Sequence, residues 1–253
     1  LVEFHLSYKD LNIDFEKHIP PNNKMDFVVH SPELFAGDHT LDLCSSDEVY
    51  RSKSIKELQR VIILTRDLNN LFPKTKTPKI VVNVGGVSEN DFLSPMERSQ
   101  CYAQLDDSLK KLDLEGVELI PQTMPPFPWH FGGQRYHNLF VSADEIVEFC
   151  QKHNMRICLD VSHSKLACVH NKKSFFEFLK KTAKYSGHLH IADSENTGGE
   201  GLQIGEGEID FLSMGEVLKT ECPNVSFIPE IWQGHENNGE GFWTAFEKLE
   251  NKI

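Results

Sequence analysis

Met155-Arg156-Ile157-Cys158-Leu159-Asp160-Val161-Ser162-His163 is the stretch that decides the fold. Ile157, Cys158, Leu159 and Val161 read as a buried strand, and Asp160 interrupts the apolar run. A carboxylate inside such a strand is costly unless it is paired or holds a metal ion. His163 follows three residues later, where the strand is expected to turn into a loop. Taken alone, the stretch is a strand end with a hydrogen-bonded Asp and an exposed His. Its companions along the chain alter that reading.

Working outward, six further segments read as strands: 1–8, 25–30, 79–84, 116–120, 187–193 and 225–231. Between them lie helical patterns. Residues 47–72 place Ile55, Leu58, Val61, Ile62, Thr65 and Leu68 on one face. Ser94-Pro95-Met96-Glu97 has the cap, the first-turn Pro and the Glu of a capping box. Helices are also expected over 142–153, 171–185, 209–220 and 241–250. The segment 194–208 reads as a mobile, acidic, Gly-rich loop. Strands alternating with helices imply a parallel sheet, and over 253 residues the favoured closure is a (β/α)8 TIM barrel. A doubly wound open sheet is the competitor. No GxGxxG separates the first strand from the first helix, so a dinucleotide-binding version lacks support.

Composition narrows the function. The chain is 39% hydrophobic and 25% charged, which suits one sizeable core. Its net charge of -12 handicaps a nucleic-acid partner. No apolar run reaches membrane-span length, and no signal peptide is evident. The six cysteines are scattered, with no CxxC pair, and read as reduced small hydrophobes of a cytoplasmic protein. The chain opens Leu1-Val2-Glu3-Phe4 without Met, so a single domain over 1–253, part of a longer chain, is expected.

In a parallel barrel all strand C-termini point to one face, where chemistry collects. The polar residues at those ends are His30, Asn83, Gln122, Asp160 with His163, His190 with Asp193, and Glu230. Each alone favours a structural role; a lone His190 between Leu189 and Ile191 is more often a satisfied core histidine. Acid or imidazole at nearly every strand end is the stronger signal. Imidazole and carboxylate oxygen together suit a divalent ion such as Zn2+ or Mn2+.

The motifs resemble those of the xylose isomerase-like TIM-barrel superfamily, with its sugar-phosphate isomerases and epimerases and its endonuclease IV branch. Leu159-Asp160-Val161-Ser162-His163 resembles the family's Leu-Asp-x-x-His. His190-Ile191-Ala192-Asp193 is similar to His-x-x-Asp, and Gly205-Glu206-Gly207-Glu208-Ile209-Asp210 to the turn that follows. Phe227-Ile228-Pro229-Glu230 matches the last strand's metal-binding Glu, and His30-Ser31-Pro32 the His-x-Pro strand end. The resemblance implies Asp160, His190, Glu230 and Gln122 as ligands of Mn2+, Zn2+ or Mg2+. It implies Glu230 and His163 as catalytic groups. His30, Gln122, Trp129, Arg135 and Asp193 would meet a small carbohydrate substrate, with no nucleic acid or membrane as partner. The implied activity is sugar or sugar-phosphate isomerisation or epimerisation by proton transfer through an enediolate.

Two departures shape the expectation. Gln122 stands where the family has Glu, and an amide cannot act as a base near neutral pH. A catalytically weakened barrel binding a sugar or a partner is therefore the alternative. Asn83 replaces a His of the endonuclease branch, and Gly199-Glu200-Gly201 replaces its Asp-x-His, so phosphodiester hydrolysis ranks third. The segment 1–8 resembles the family's second strand, so its usual first strand is expected to be absent. The shape of the chain resembles barrels appended to sialic-acid-synthase-like enzymes, which implies a linked N-terminal domain or a homo-oligomer.

Overall fold

The computed structural model describes residues 1–21, 23–130, 133–250 and 252. The chain forms two compact units. One comprises Leu1–Val87 and Leu93–Pro121, the other Ser88–Phe92 and Gln122–Ile253.

The first unit is built on a parallel sheet of four strands in the order β1-β2-β3-β4. These are β1 (Val2–His5), β2 (Phe27–His30), β3 (Lys79–Val82) and β4 (Glu118–Pro121). Parallel strands covered on both faces read as continuous apolar runs, and Phe27-Val28-Val29 and Ile80-Val81-Val82 are fully buried. Helix α1 (Glu48–Asn69) begins at Asp47, whose carboxylate accepts from Val49 N at 2.9 Å and Tyr50 N at 3.1 Å. Its buried face is Ser54 plus the six residues anticipated from periodicity. Helix α2 (Pro95–Leu109) carries the expected capping box between Ser94 and Glu97.

The second unit holds a three-stranded parallel sheet, β5 (Ile157–Asp160), β6 (Ser186–Ile191) and β7 (Ser226–Pro229), in that order. With the four strands above, these are the seven expected from sequence. Helices α3 (Ala143–His153), α4 (Val161–His170), α5 (Phe175–Thr182), α6 (Phe211–Glu221) and α7 (Glu236–Leu249) complete the unit. The core includes Phe140, Phe149, Leu159, Leu166, Leu179, Ile191 and Met214, all below 4% exposed. Each such side chain contributes roughly 1.5–3 kcal/mol by leaving water.

Three expectations change. Asp160 does not lead into a loop: its side chain accepts from His163 N at 2.8 Å and starts α4 at once. The helix expected over 171–185 is shorter, α5 followed by one 3-10 turn (Ala183–Tyr185). The Gly-rich segment contains an antiparallel hairpin, Asp193–Glu195 against Gly199–Leu202. Among the described residues no helix is long and apolar enough to cross a membrane.

Candidate metal and acid-base site

The site is assembled by sheet register. Asp160 of β5 pairs with His190 of β6, and His190 with Ile228 of β7. Glu230 follows β7 directly, its backbone N–H bonded to Ile191 O at 3.1 Å. Gln122 joins on the other flank through a parallel bridge to Cys158. Gln122 and Glu230, 108 positions apart, therefore meet at and beside the C-terminal ends of β5, β6 and β7.

The contacts are tight. His190 Nδ1 lies 2.7 Å from Glu230 Oε2 and 3.8 Å from Asp160 Oδ2. Gln122 Nε2 is 3.0 Å from Asp160 Oδ2 and 3.2 Å from His190 Nδ1. Asp160, His190 and Gln122 are buried, while the Glu230 side chain is 32% exposed. Thr123 Oγ1 accepts from Asp160 N at 2.9 Å, and Ser164 Oγ donates to Asp160 O at 2.6 Å, so the Asp160 backbone is clamped. Burial pushes the Asp160 carboxyl up to about 7; the Glu230 charge adds to this, while His163 and His190 oppose it.

This donor set fits a divalent cation. Two carboxylates and an imidazole nitrogen converge, and one imidazole proton cannot neutralise both acids. A half-turn of the Gln122 amide presents Oε1 in place of Nε2 and adds a neutral oxygen. Asp160 Oδ2, His190 Nδ1, Glu230 Oε2 and Gln122 Oε1 are the atoms that would hold the ion.

His163 stands beside this set. Its Nδ1 is 3.0 Å from Thr123 O and 3.3 Å from Asp160 Oδ2. Its Nε2 faces Glu200 Oε2 at 3.8 Å. Burial alone would lower its pKa, but the charges of Asp160, Glu200 and Glu230 outweigh that and raise it. Glu200 was not among the residues picked from sequence. Its only signal was position: it sits in Gly199-Glu200-Gly201, where the endonuclease branch carries metal ligands.

The other anticipated residues fare differently. Asp193 is bonded within its own turn. Its buried carboxylate accepts from Ser194 N at 2.8 Å, Gly205 N at 2.9 Å, Gly207 N at 2.9 Å and Ile209 N at 3.0 Å. Gly-x-Gly thus wraps an internal anion, and the next residue, Asp210, caps α6 through Leu212 N and Ser213 N. A β-carbon on Gly207 would collide with Asp193, which accounts for that glycine. Arg135 is spent in part on Glu89, 3.6 Å away. In the first unit, His30 ends β2, stacks on His5 at 4.8 Å and places Nδ1 3.0 Å from Ser31 O. Asn83 Nδ2 donates to Glu33 Oε1. The side chain of Trp129 lies outside the described residues. His188, one step below His190 on the same face of β6, is a satisfied core histidine bonded to Ser226 Oγ at 2.8 Å.

Several solved structures share the fold. A D-tagatose 3-epimerase-like protein is 19% identical with a TM-score of 0.62, covering 97% of this chain and 85% of that one. L-ribulose 3-epimerase is 17% identical at a TM-score of 0.63, over 90% of this chain and 76% of its own. D-psicose 3-epimerase from Clostridium cellulolyticum H10 is 15% identical at 0.62, over 89% and 77%. An uncharacterized protein of Methanocaldococcus jannaschii is 24% identical over 210 residues, 82% of this chain. The chain spans 65% of that protein's length. The family model described as xylose isomerase-like TIM barrel matches residues 2–251, and the chain belongs to that family.

Proposed function

We propose that this chain is a metal-dependent sugar or sugar-phosphate isomerase or epimerase that moves a proton through an enediolate. The observation that carries the reading is the meeting of Asp160, His190, Glu230 and Gln122 around one imidazole nitrogen. The 3-epimerases that share its fold support a ketose as substrate. Six free cysteines, five of them buried, support a reducing, cytoplasmic setting. In this reading the substrate meets Gln122 and Arg135.

The chemistry divides among the side chains. A bound divalent ion would polarise the substrate carbonyl and stabilise charge that develops on its oxygen. Asp160 and His190, both buried, would hold that ion, and Thr123 and Ser164 fix the Asp160 backbone. Glu230 is the group able to take the proton next to the carbonyl, because its carboxylate is partly exposed and reaches the substrate side. His163 has Nδ1 beside the Thr123 carbonyl, which can only accept, so Nδ1 carries a proton. Nε2 is left to face the substrate region, where it orients a hydroxyl.

A second reading, a barrel that binds a sugar without turning it over, is favoured by Gln122. Its amide leaves Glu230 as the sole ionisable acid contributed by the expected pair of positions. Two measurements decide. Elemental analysis of protein purified without chelator and supplied with Mn2+ and Zn2+ is expected to find one ion per chain, lost in D160A and H190A. Incubation with D-tagatose, D-psicose and L-ribulose in deuterated water is expected to exchange the substrate C–H. Metal without exchange across the panel favours the binder; no metal refutes the site.

A further inference from the structure

Gln122 leaves the site short of one proton carrier, and the hairpin after β6 supplies a carboxylate. Gly201 anchors that hairpin on both sides. Its N–H bonds to Ser162 Oγ at 3.2 Å, at the start of α4, and its carbonyl accepts from Trp232 N at 2.7 Å, just past β7. Gly201 has φ +68°, and a β-carbon there would press on Trp232 N at 3.3 Å, so the close approach suits glycine. At the hairpin's other end, Asp193 gathers four backbone N–H groups. Glu200, next to Gly201, is therefore positioned by backbone bonds from both flanks of the site.

Its carboxylate reaches the His163 ring beside the candidate cation ligands. Glu200 Oε2 lies 3.8 Å from His163 Nε2, while the other edge of the same ring touches Asp160 Oδ2 at 3.3 Å. At that separation, one substrate hydroxyl oxygen within about 2.8 Å of both Nε2 and Oε2 would bond to both. The Glu200 side chain is 30% exposed and the Glu230 side chain 32%, so both can exchange protons with solvent.

We propose that Glu200 is the second acid-base carboxylate of this site, replacing the acid that Gln122 cannot be. The proposal rests on the epimerase reading above. Glu230 takes the proton from the carbon beside the carbonyl. The C–H electron pair becomes the C=C bond of the enediolate, and the carbonyl π pair moves onto oxygen. Glu200, entering as the carboxylic acid, then gives its proton back to that carbon. The C=C pair forms the new C–H bond, and the oxygen lone pair restores C=O. Glu230 and Glu200 return to their starting protonation through water, so no oxidant or reductant is required.

The test uses the full chain loaded with Mn2+ and the three ketoses named above, in deuterated water. It follows C–H exchange and epimer formation separately. Removing one acid-base group costs about 100- to 10,000-fold in the step it serves. E200Q is expected to lose epimer formation by that factor in kcat, with KM changed less than about threefold, and to keep exchange through Glu230. E200D is expected to recover part of the rate, with unfolding midpoint and bound metal the same as wild type in both variants. Epimer formation by E200Q within threefold of wild type overturns the role of Glu200 and leaves the epimerase reading standing. Loss of bound metal or of fold in both variants makes Glu200 structural and overturns its role too. Absence of exchange in the wild type overturns the epimerase reading and the role of Glu200 with it.

Discussion

Replacing Asp193 by Asn tests the idea that the Gly-x-Gly turn is folded around an internal anion. Each carboxylate oxygen serves two backbone donors. Oδ1 accepts from Ser194 and Ile209, Oδ2 from Gly205 and Gly207. Asparagine retains one acceptor oxygen and puts an NH2 donor in place of the other. Whichever way the amide turns, two N–H groups lose their acceptor and face a donor. A hydrogen bond to a charged acceptor contributes about 1.5–3 kcal/mol, so the change costs about 3–6 kcal/mol. The turn does not open to water easily, since Asp193 is fully buried beside Ser194. At roughly 2–4 °C per kcal/mol for a chain of this size, the midpoint falls on the order of 10 °C. Thermal and urea unfolding, each followed by far-UV circular dichroism with the cysteines kept reduced, measure the midpoint shift and the free-energy cost. A D193N protein within about 1 kcal/mol of wild type would refute the reasoning, because it would mean the four bonds are made equally well by a neutral amide.

Three other outcomes follow from the same geometry. Q122E places a second carboxylate 3.0 Å from where Asp160 Oδ2 already lies, so its metal-free midpoint drops while its Mn2+ affinity rises; calorimetric titration showing neither would displace Gln122 from the site. Without metal, stability falls as pH rises from about 4 to 7: the folded Asp160 carboxyl titrates near 7 against 3.8 unfolded, so the folded state holds the extra proton in that window. His163, also raised, extends the same fall above about 6.5, and saturating Mn2+ flattens the slope; a metal-free protein that gains stability from about pH 4 to 7 contradicts the assignment. Finally, burial pushes Cys150 and Cys168 up to about 12, so native protein reacts slowly with a thiol reagent at neutral pH and yields all six thiols once unfolded.

The sequence determined much of this protein, and the reason is periodicity. Alternating apolar runs and amphipathic helices located the seven parallel strands, because burial imposes those patterns directly on the chain. The side chains proposed to hold the ion were legible for a related reason. In parallel α/β folds strand ends share a face, so Asp160, His190 and Glu230 needed only their strands to be found. What sequence missed was decided by hydrogen bonds between distant backbones. Asp160 was read as the end of a strand leading to a loop, yet its side chain caps a helix, since capping depends on where an N–H points. Asp193 has the composition of a ligand-binding residue, and only tertiary structure shows its oxygens filled by Gly205, Gly207 and Ile209. Glu200 lay in a segment that looked like a flexible acidic loop. It became a candidate because Ser162 and Trp232, remote in sequence, bind the backbone of its neighbour Gly201 and hold the carboxylate near His163.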